Sequence, residues 1–236
     1  MTPATLQAAM DATWPAAAMH RAGPWMLRNG AGGGKRVSAA TAEAEWRPDD
    51  IAKAEAAMMA MGQDKLFLIR ASDGALDAEL AQRGYRVVDP VVAYAAPVAD
   101  LAATPPAPMS SFPHWPPMEI ARQLWADAGI GPGRLAVMAR ATGPKTVLLG
   151  RAGDRAAGVA FVAMGGKTAM LHALEVAPAL RRQGSAYNIL WAAAGWAQSE
   201  GAEQLAVVVT EANDAARRLY SSLGMTIVGQ YHYRQT

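Results

Sequence analysis

The stretch of this sequence best equipped for chemistry runs Leu171-His-Ala-Leu-Glu-Val-Ala-Pro-Ala-Leu-Arg-Arg-Gln-Gly-Ser-Ala186. It reads as an apolar strand, a basic turn with one glycine, and the start of a long helix. The first N–H groups of a helix have no partner along the chain and sit at the positive end of its dipole. Such a turn is a ready site for an anion, a pyrophosphate in particular. Gly184 lets backbone approach closely, Ser185 and Ala186 are small, and Arg181 and Arg182 add positive charge. A basic turn that merely caps a helix has the same composition, so this stretch alone does not separate the two.

A second stretch offers a polar cap and a phenol. Asn213 begins a helix that runs to Leu223 and stops at Gly224. Ala216, Leu219, Tyr220 and Leu223 form one apolar stripe, on which Tyr220 is either packed or reactive.

The elements that must position these groups follow from turn residues and periodicity. Residues 4–13 predict a short helix. Residues 24–29 and 35–41 predict a hairpin around the turn Gly30-Ala-Gly-Gly-Gly34, which feeds a strand and so is no phosphate loop. Pro48-Asp49-Asp50 opens a helix to about Met61; strand 65–70, a helix ending at Gly84, and strand 85–96, interrupted at Asp89-Pro90, complete the first half. Residues 97–117 hold seven prolines and read as a linker, with a boundary near residue 108. The second half reads helix, helix, three strands (145–151, 156–164, 167–176), helix to Glu200, strand 204–210, helix 213–223 and strand 225–233. The expected class is α/β: a mixed, mostly antiparallel sheet with helices on both faces.

Composition excludes several functions. A net charge of +2 is weak support for a nucleic-acid binder, and no apolar run approaches the ~18–20 residues of a membrane span. With no cysteine there is no disulfide, thiolate metal site or thiol nucleophile, and His20, His114, His172 and His232 fall at no metal-ligand spacing. The first residues lack the basic start and apolar centre of an export signal, which points to the cytoplasm.

Two motifs together resemble the GCN5-related N-acetyltransferases, the GNAT superfamily. The first is Val176-x-Pro178-x-x-Arg181-Arg182-Gln183-Gly184-Ser185-Ala186, similar to that family's Arg/Gln-x-x-Gly-x-Gly/Ala loop. The second is Asn213-x-x-Ala216-x-x-Leu219-Tyr220-x-x-Leu223-Gly224-Met225. They stand in the family's order, with a helix and a strand between, and the resemblance covers about residues 115–236.

The resemblance implies acetyl-CoA as cosubstrate and a small-molecule or peptide amine as acceptor, with no nucleic acid or membrane partner. It implies that N–H groups from about Arg182 to Tyr187 cup the pyrophosphate. It implies that Leu174, Glu175 and Val176 lie on a splayed strand edge that pairs with the pantetheine arm, and that Asn213 and Tyr220 contact the cofactor. Tyr220 matches the tyrosine that protonates the departing thiolate. The base is then His172 or Glu175, expected on opposite faces of their strand, or a water chain. The absence of cysteine leaves direct transfer as the expected route. A module that binds acyl-CoA without turnover shares the loop; the intact Asn213 and Tyr220 favour the enzyme.

The first half repeats the second motif in outline at an offset of 140: Asp73 for Asn213, Gly84 for Gly224, Tyr85 for Met225, but Leu80 for Tyr220. It has no counterpart of the Gly184 loop. Residues 1–108 therefore look like a degenerate GNAT-like or capping domain, as in tandem members of the superfamily, and residues 109–236 like the catalytic one.

Overall fold

The computed structural model describes residues 1–236. Helix α1 (Pro3–Thr13) starts where Thr2 Oγ1 accepts from the Thr5 N–H at 3.1 Å. Strands β1 (Ala18–Ala22) and β2 (Trp25–Asn29) form a hairpin around Gly23, and β3 (Thr41–Ala42) pairs with β2 through Trp25 and Ala42. Helix α2 (Pro48–Ala60), strand β4 (Leu66–Arg70), helix α3 (Gly74–Gln82), strand β5 (Arg86–Pro97) and helix α4 (Val98–Ala102) follow. The second half holds β6 (Ser111–His114), α5 (Glu119–Asp127), α6 (Pro132–Arg140), β7 (Lys145–Ala152), β8 (Arg155–Gly165), β9 (Thr168–Val176), α7 (Ser185–Ser199), β10 (Gln204–Thr210), α8 (Asp214–Ser222) and β11 (Thr226–Gln235).

Three local expectations are corrected. The hairpin turns at Gly23, φ +60°, and not in the Gly30–Gly34 run; residues 35–37 form a 3-10 turn instead of a strand. A side chain at Gly33 would run into Val137 and Val37, so this run is a docking loop. Strand β5 is continuous, because Asp89 takes φ +44° and the partner strand shifts register there. The proline-rich segment contributes β6, paired with β7; Pro113 is tolerated because β6 is the sheet edge.

Eight strands form one sheet in the order β4-β11-β5-β10-β9-β8-β7-β6, and an isolated parallel bridge, Ala40 to Phe67, links the small β1-β2-β3 sheet to its far edge. The halves exchange their last strands. β5 pairs with β10 of the second half, and β11 pairs with β4 of the first. The registers repeat at the offset of 140: Thr210 faces Val91 as Arg70 faces Tyr231, and Ala206 faces Ala95 as Leu66 faces Gln235. The sheet therefore runs unbroken across two similar halves.

Helices cover both faces. Ala160, Val162 and Met164 of β8 pack with Ile189, Leu190 and Ala193 of α7, and Tyr220 of α8 joins that core. Val159, Phe161 and Ala163 face the other way, onto Trp125 of α5, Val137 and Met138 of α6, and Trp14. This alternation is the period of two expected of a strand buried on both faces. Helix α1 lies on the second side, with Leu6, Ala9 and Met10 against Ala93, Met170 and Ala206.

Candidate active site

The turn before α7 leaves its backbone donors free. None of the backbone N–H groups from Arg182 to Tyr187 finds an acceptor within the protein; the first satisfied one is Asn188, bonded to the Gly184 carbonyl. Arg182 and Gly184 both take left-handed φ, +64° and +82°. Gly184 is needed for that conformation more than for space, since a Cβ there would meet only the Asn188 amide at 4.0 Å. Ser185 Oγ is buried without a partner at the first residue of the helix. Arg181 turns back, and its Nε donates to the Val176 carbonyl at 3.1 Å. Gln183 and Ala186 complete the turn, and the Tyr187 hydroxyl ties α7 to Ser222 of α8 at 2.7 Å. Unbonded donors at a helix N-terminus suit an anion such as a phosphate.

The strand feeding this turn opens a slot in the sheet. β9 and β10 pair in parallel only from Thr168–Gln204 to Leu171–Val207. Beyond Leu171 they part, and β10 continues to Thr210 against β5 alone. The edge from His172 to Val176 is thus free on the β10 side. A β-bulge lies in it: His172 faces Phe161 and Glu175 faces Val159, so Ala173 and Leu174 on β9 oppose Ala160 alone on β8. Ala173 carries the bulge with φ +51°, and its carbonyl is held by Trp125 Nε1 at 2.8 Å. His172 and Glu175 therefore share one face of β9, which corrects the expectation of opposite faces. The alternation argument fails because the bulge inserts one residue between them.

A cavity of about 630 Å³ occupies the slot and gathers His172, Leu174, Glu175, Asn213 and Tyr220. A smaller one of about 220 Å³ continues past Glu175 and Val176 to Arg181. Tyr220 enters from the α8 side; burial, with the Glu175 charge adding, pushes its phenol above the ordinary range, so it stays protonated. Burial also raises the Glu175 carboxyl, against the opposing charges of Arg181 and Arg134. Asn213 Oδ1 caps α8, accepting from the Ala216 N–H at 3.1 Å, while the residue borders the cavity.

His172 is committed on both nitrogens. Nδ1 lies 3.2 Å from Arg36 Nη1, which can only donate, so Nδ1 accepts. Nε2 then carries the proton and donates to Thr13 Oγ1 at 2.9 Å, and Thr13 donates on to the Ala9 carbonyl at 2.7 Å. Burial, and then the Arg36 charge, hold its pKa well below the ordinary imidazole value. A neutral ring with no free lone pair is poorly placed to take a proton.

Sequence reasoning missed the groups that the first half brings here. Trp14 lies tilted against His172 with ring centroids 4.9 Å apart, and Lys35, Arg36 and Asp89 line the cavity, with Lys35 paired to Asp89 at 2.7 Å. The Gly30–Gly34 run delivers them: Gly32 packs its backbone on Gly133 of α6 so closely that a Cβ at Gly133 would overlap its carbonyl. A glycine run followed at once by Lys35-Arg36 was the available signal. On the last strand Tyr231 and Tyr233 face the cavity, whereas His232 and Arg234 face away and both bond Asp77 at 2.7 Å.

The matching turn of the first half cannot hold an anion. Pro48 opens α2 without an N–H, and Asp50 already accepts from the Arg47 N–H at 3.0 Å. Leu80, where the second half has Tyr220, is fully buried.

Comparison with known proteins agrees with this geometry. The acetyltransferase (GNAT) family model matches residues 110–225. A GCN5-related N-acetyltransferase from Kribbella flavida superposes with a TM-score of 0.74 at 17% identity, over 100% of this chain and 96% of that one. A functionally unknown conserved protein from Staphylococcus epidermidis gives 0.68 at 12% identity, covering 92% of each chain. A tandem GNAT protein from the clavulanic acid biosynthesis pathway gives 0.63 at 15% identity, over 90% of this chain and 77% of that one. At such identities the likeness is one of fold. No curated protein matches the sequence. No helix is long and apolar enough to cross a membrane.

Proposed function

We propose, from the match of residues 110–225 to the acetyltransferase (GNAT) family, that the protein transfers acetyl from acetyl-CoA directly to an amine. The observation that carries this reading is the run of unbonded N–H groups from Arg182 to Tyr187, with Ser185 Oγ orphaned beside it, at the mouth of a slot that ends on Tyr220. The fit to a pyrophosphate is chemical: donors, a dipole end and flanking Arg182. When bound, acetyl-CoA supplies an activated acyl group on a thiol leaving group.

The chain's own residues then have distinct tasks. Arg182, Gln183, Gly184, Ser185, Ala186 and Tyr187 bind the pyrophosphate. The free edge of Leu174, Glu175 and Val176 offers backbone groups to the pantetheine arm, and an N–H there polarises the acyl carbonyl. Asn213 borders the arm. Tyr220, protonated, gives its proton to the departing sulfur. Glu175, its carboxyl raised by burial and standing at the slot, takes the proton of the attacking amine; His172, bonded on both sides, holds Arg36 instead. In this scheme residues 109–236 form the catalytic domain, and residues 1–108 cap the acceptor side through Trp14, Lys35 and Arg36.

A thermal shift with CoA tests the cosubstrate, and free-thiol release from acetyl-CoA against an amine panel tests the reaction. Stabilisation and turnover are expected; absence of any shift at millimolar CoA defeats the reading. CoA binding without turnover of any amine would leave an acyl-CoA-binding module.

A further inference from the structure

We propose that the acceptor is a short amino acid, an amine whose own carboxylate is bound by Arg36; this rests on acetyl transfer at the site described above. Arg36 reaches the cavity from the turn behind the glycine run. Its one well-formed hydrogen bond is Nη1 to His172, and the hydroxyls of Tyr231 and Tyr233 lie close beside the guanidinium. Its Nε is buried and has no partner, and no carboxylate pairs with the guanidinium. The neighbouring charges are spoken for: Lys35 is paired with Asp89, and Glu175 lies in the field of Arg134 and Arg181. A buried cation costs folding free energy unless it meets an anion.

The geometry suits a carboxylate. With Nη1 engaged, the unused edge of Arg36 is the Nε–Nη2 fork. Its two parallel N–H groups match the two oxygens of a carboxylate. Tyr231 Oη, on the same wall, is also buried without a partner and is a third donor. Trp14 backs the guanidinium at 5.8 Å from its ring centroid. The spacing favours a short molecule. His172, which holds Arg36, and Glu175 stand two sheet steps apart on the same face, about 7 Å between their backbone positions. An amine at Glu175 and a carboxylate at Arg36 are then separated by few carbons.

The step balances. The amine nitrogen forms a C–N bond to the acyl carbon as the C–S bond breaks; its proton passes to Glu175, the sulfur takes one from Tyr220, and the products are an N-acetyl amino acid and free CoA thiol. The carboxylate on Arg36 is unchanged throughout.

The experiment uses the full chain. Glycine, β-alanine and L-leucine are each compared with their carboxamides as acceptors, read by thiol release. Separately, without CoA, the N-acetyl acids and N-acetyl amides of the same series are tested by thermal shift. At least one acid should exceed its amide about 100-fold in kcat/KM, and acids but not amides should raise Tm. Arg36→Gln should remove both preferences and leave the shift with CoA unchanged; Arg36→Lys should keep part of them, and decides the matter if Arg36→Gln does not fold. Amides that serve as well as acids, a preference unaltered in Arg36→Gln, or neither turnover nor shift with any acid would overturn the proposal. Loss of the CoA shift alone would strike the acetyl-transfer reading, while the carboxylate shift would still report on Arg36.

Discussion

Val91 and Tyr231 pair where β5 meets β11, the third and second strands of the eight, and they stand 140 positions apart in the chain. Shifting either strand by that offset turns it into the other, so this pair is its own image. The ends of the ladder confirm it: Arg86 faces Gln235 as Thr226 faces Ala95. An approximate two-fold axis passes between Val91 and Tyr231, and one of the two, Tyr231, carries an unpartnered hydroxyl at the cavity wall.

The exchange predicts mutual dependence. Residues 109–236 alone would leave β10 without β5 and β11 without β4, exposing long apolar edges. This fragment should show no cooperative melt by circular dichroism, and co-expression with residues 1–108 should restore one. A cooperative melt of the fragment alone would contradict this.

Tyr220→Phe should lower kcat about 100-fold or more with little change in KM for acetyl-CoA. Its ring packs near Tyr94 at 5.8 Å, and the ring is retained, so Tm should move little. Steady-state kinetics with any accepted amine reads the result; an unaltered kcat removes the acid role.

Glu175 makes pH informative. Burial raises its carboxyl above the ordinary value, so the rising limb of kcat/KM should sit above the range of a free glutamate. Glu175→Gln should abolish that limb and slow turnover at least about 100-fold. The folded state holds this proton more tightly than the unfolded chain, so Glu175 costs stability at neutral pH and the cost fades as pH falls. Glu175→Gln should therefore raise Tm at pH 7, in a scan made alongside the kinetics.

Gly184→Ala forces a Cβ into left-handed backbone and should cost about 1–2 kcal/mol. It should also weaken CoA binding by calorimetry about tenfold or more. Gly153→Ala, at φ +57° in the exposed β7–β8 turn, is the control: similar strain, unchanged CoA affinity.

His172 titrates in the opposite sense to Glu175. Its pKa is depressed in the fold, so its contribution is complete above the unfolded value of about 6.5 and is lost as pH drops towards the folded one. Tm should decline from about pH 6.5 downwards. His172→Gln should flatten that part of the profile while lowering Tm at pH 7.5 through weakened contacts to Arg36 and Thr13.

What the sequence made legible was local. The Arg181–Ala186 turn and the Asn213–Leu223 helix are written in consecutive residues, and the structure places both as read. The offset of 140 was visible because helix stops at Gly84 and Gly224 survive side-chain change. The bulge at Ala173 was not, since no glycine or proline marks it and the indole of Trp125 stabilises it from 48 residues away. Arg36 was hidden for a similar reason. Its turn has meaning only once Gly33 and Gly32 are docked on Val137 and Gly133. The glycine run was read as a hairpin because its true competitor, the single Gly23, made a tighter turn than composition suggested.

The strand exchange has a further consequence, in descent. The first half has given up the phosphate turn to Pro48 and Asp50 and the phenol to Leu80, and nothing in cofactor chemistry obliges the chain to keep it. Yet each half ends in the strand that finishes the other. Deleting the first half would strip β10 and β11 of their partners whatever its chemistry, so the sheet alone holds that half in place, and the proposed carboxylate contact of Arg36 is a second duty added to a structural one.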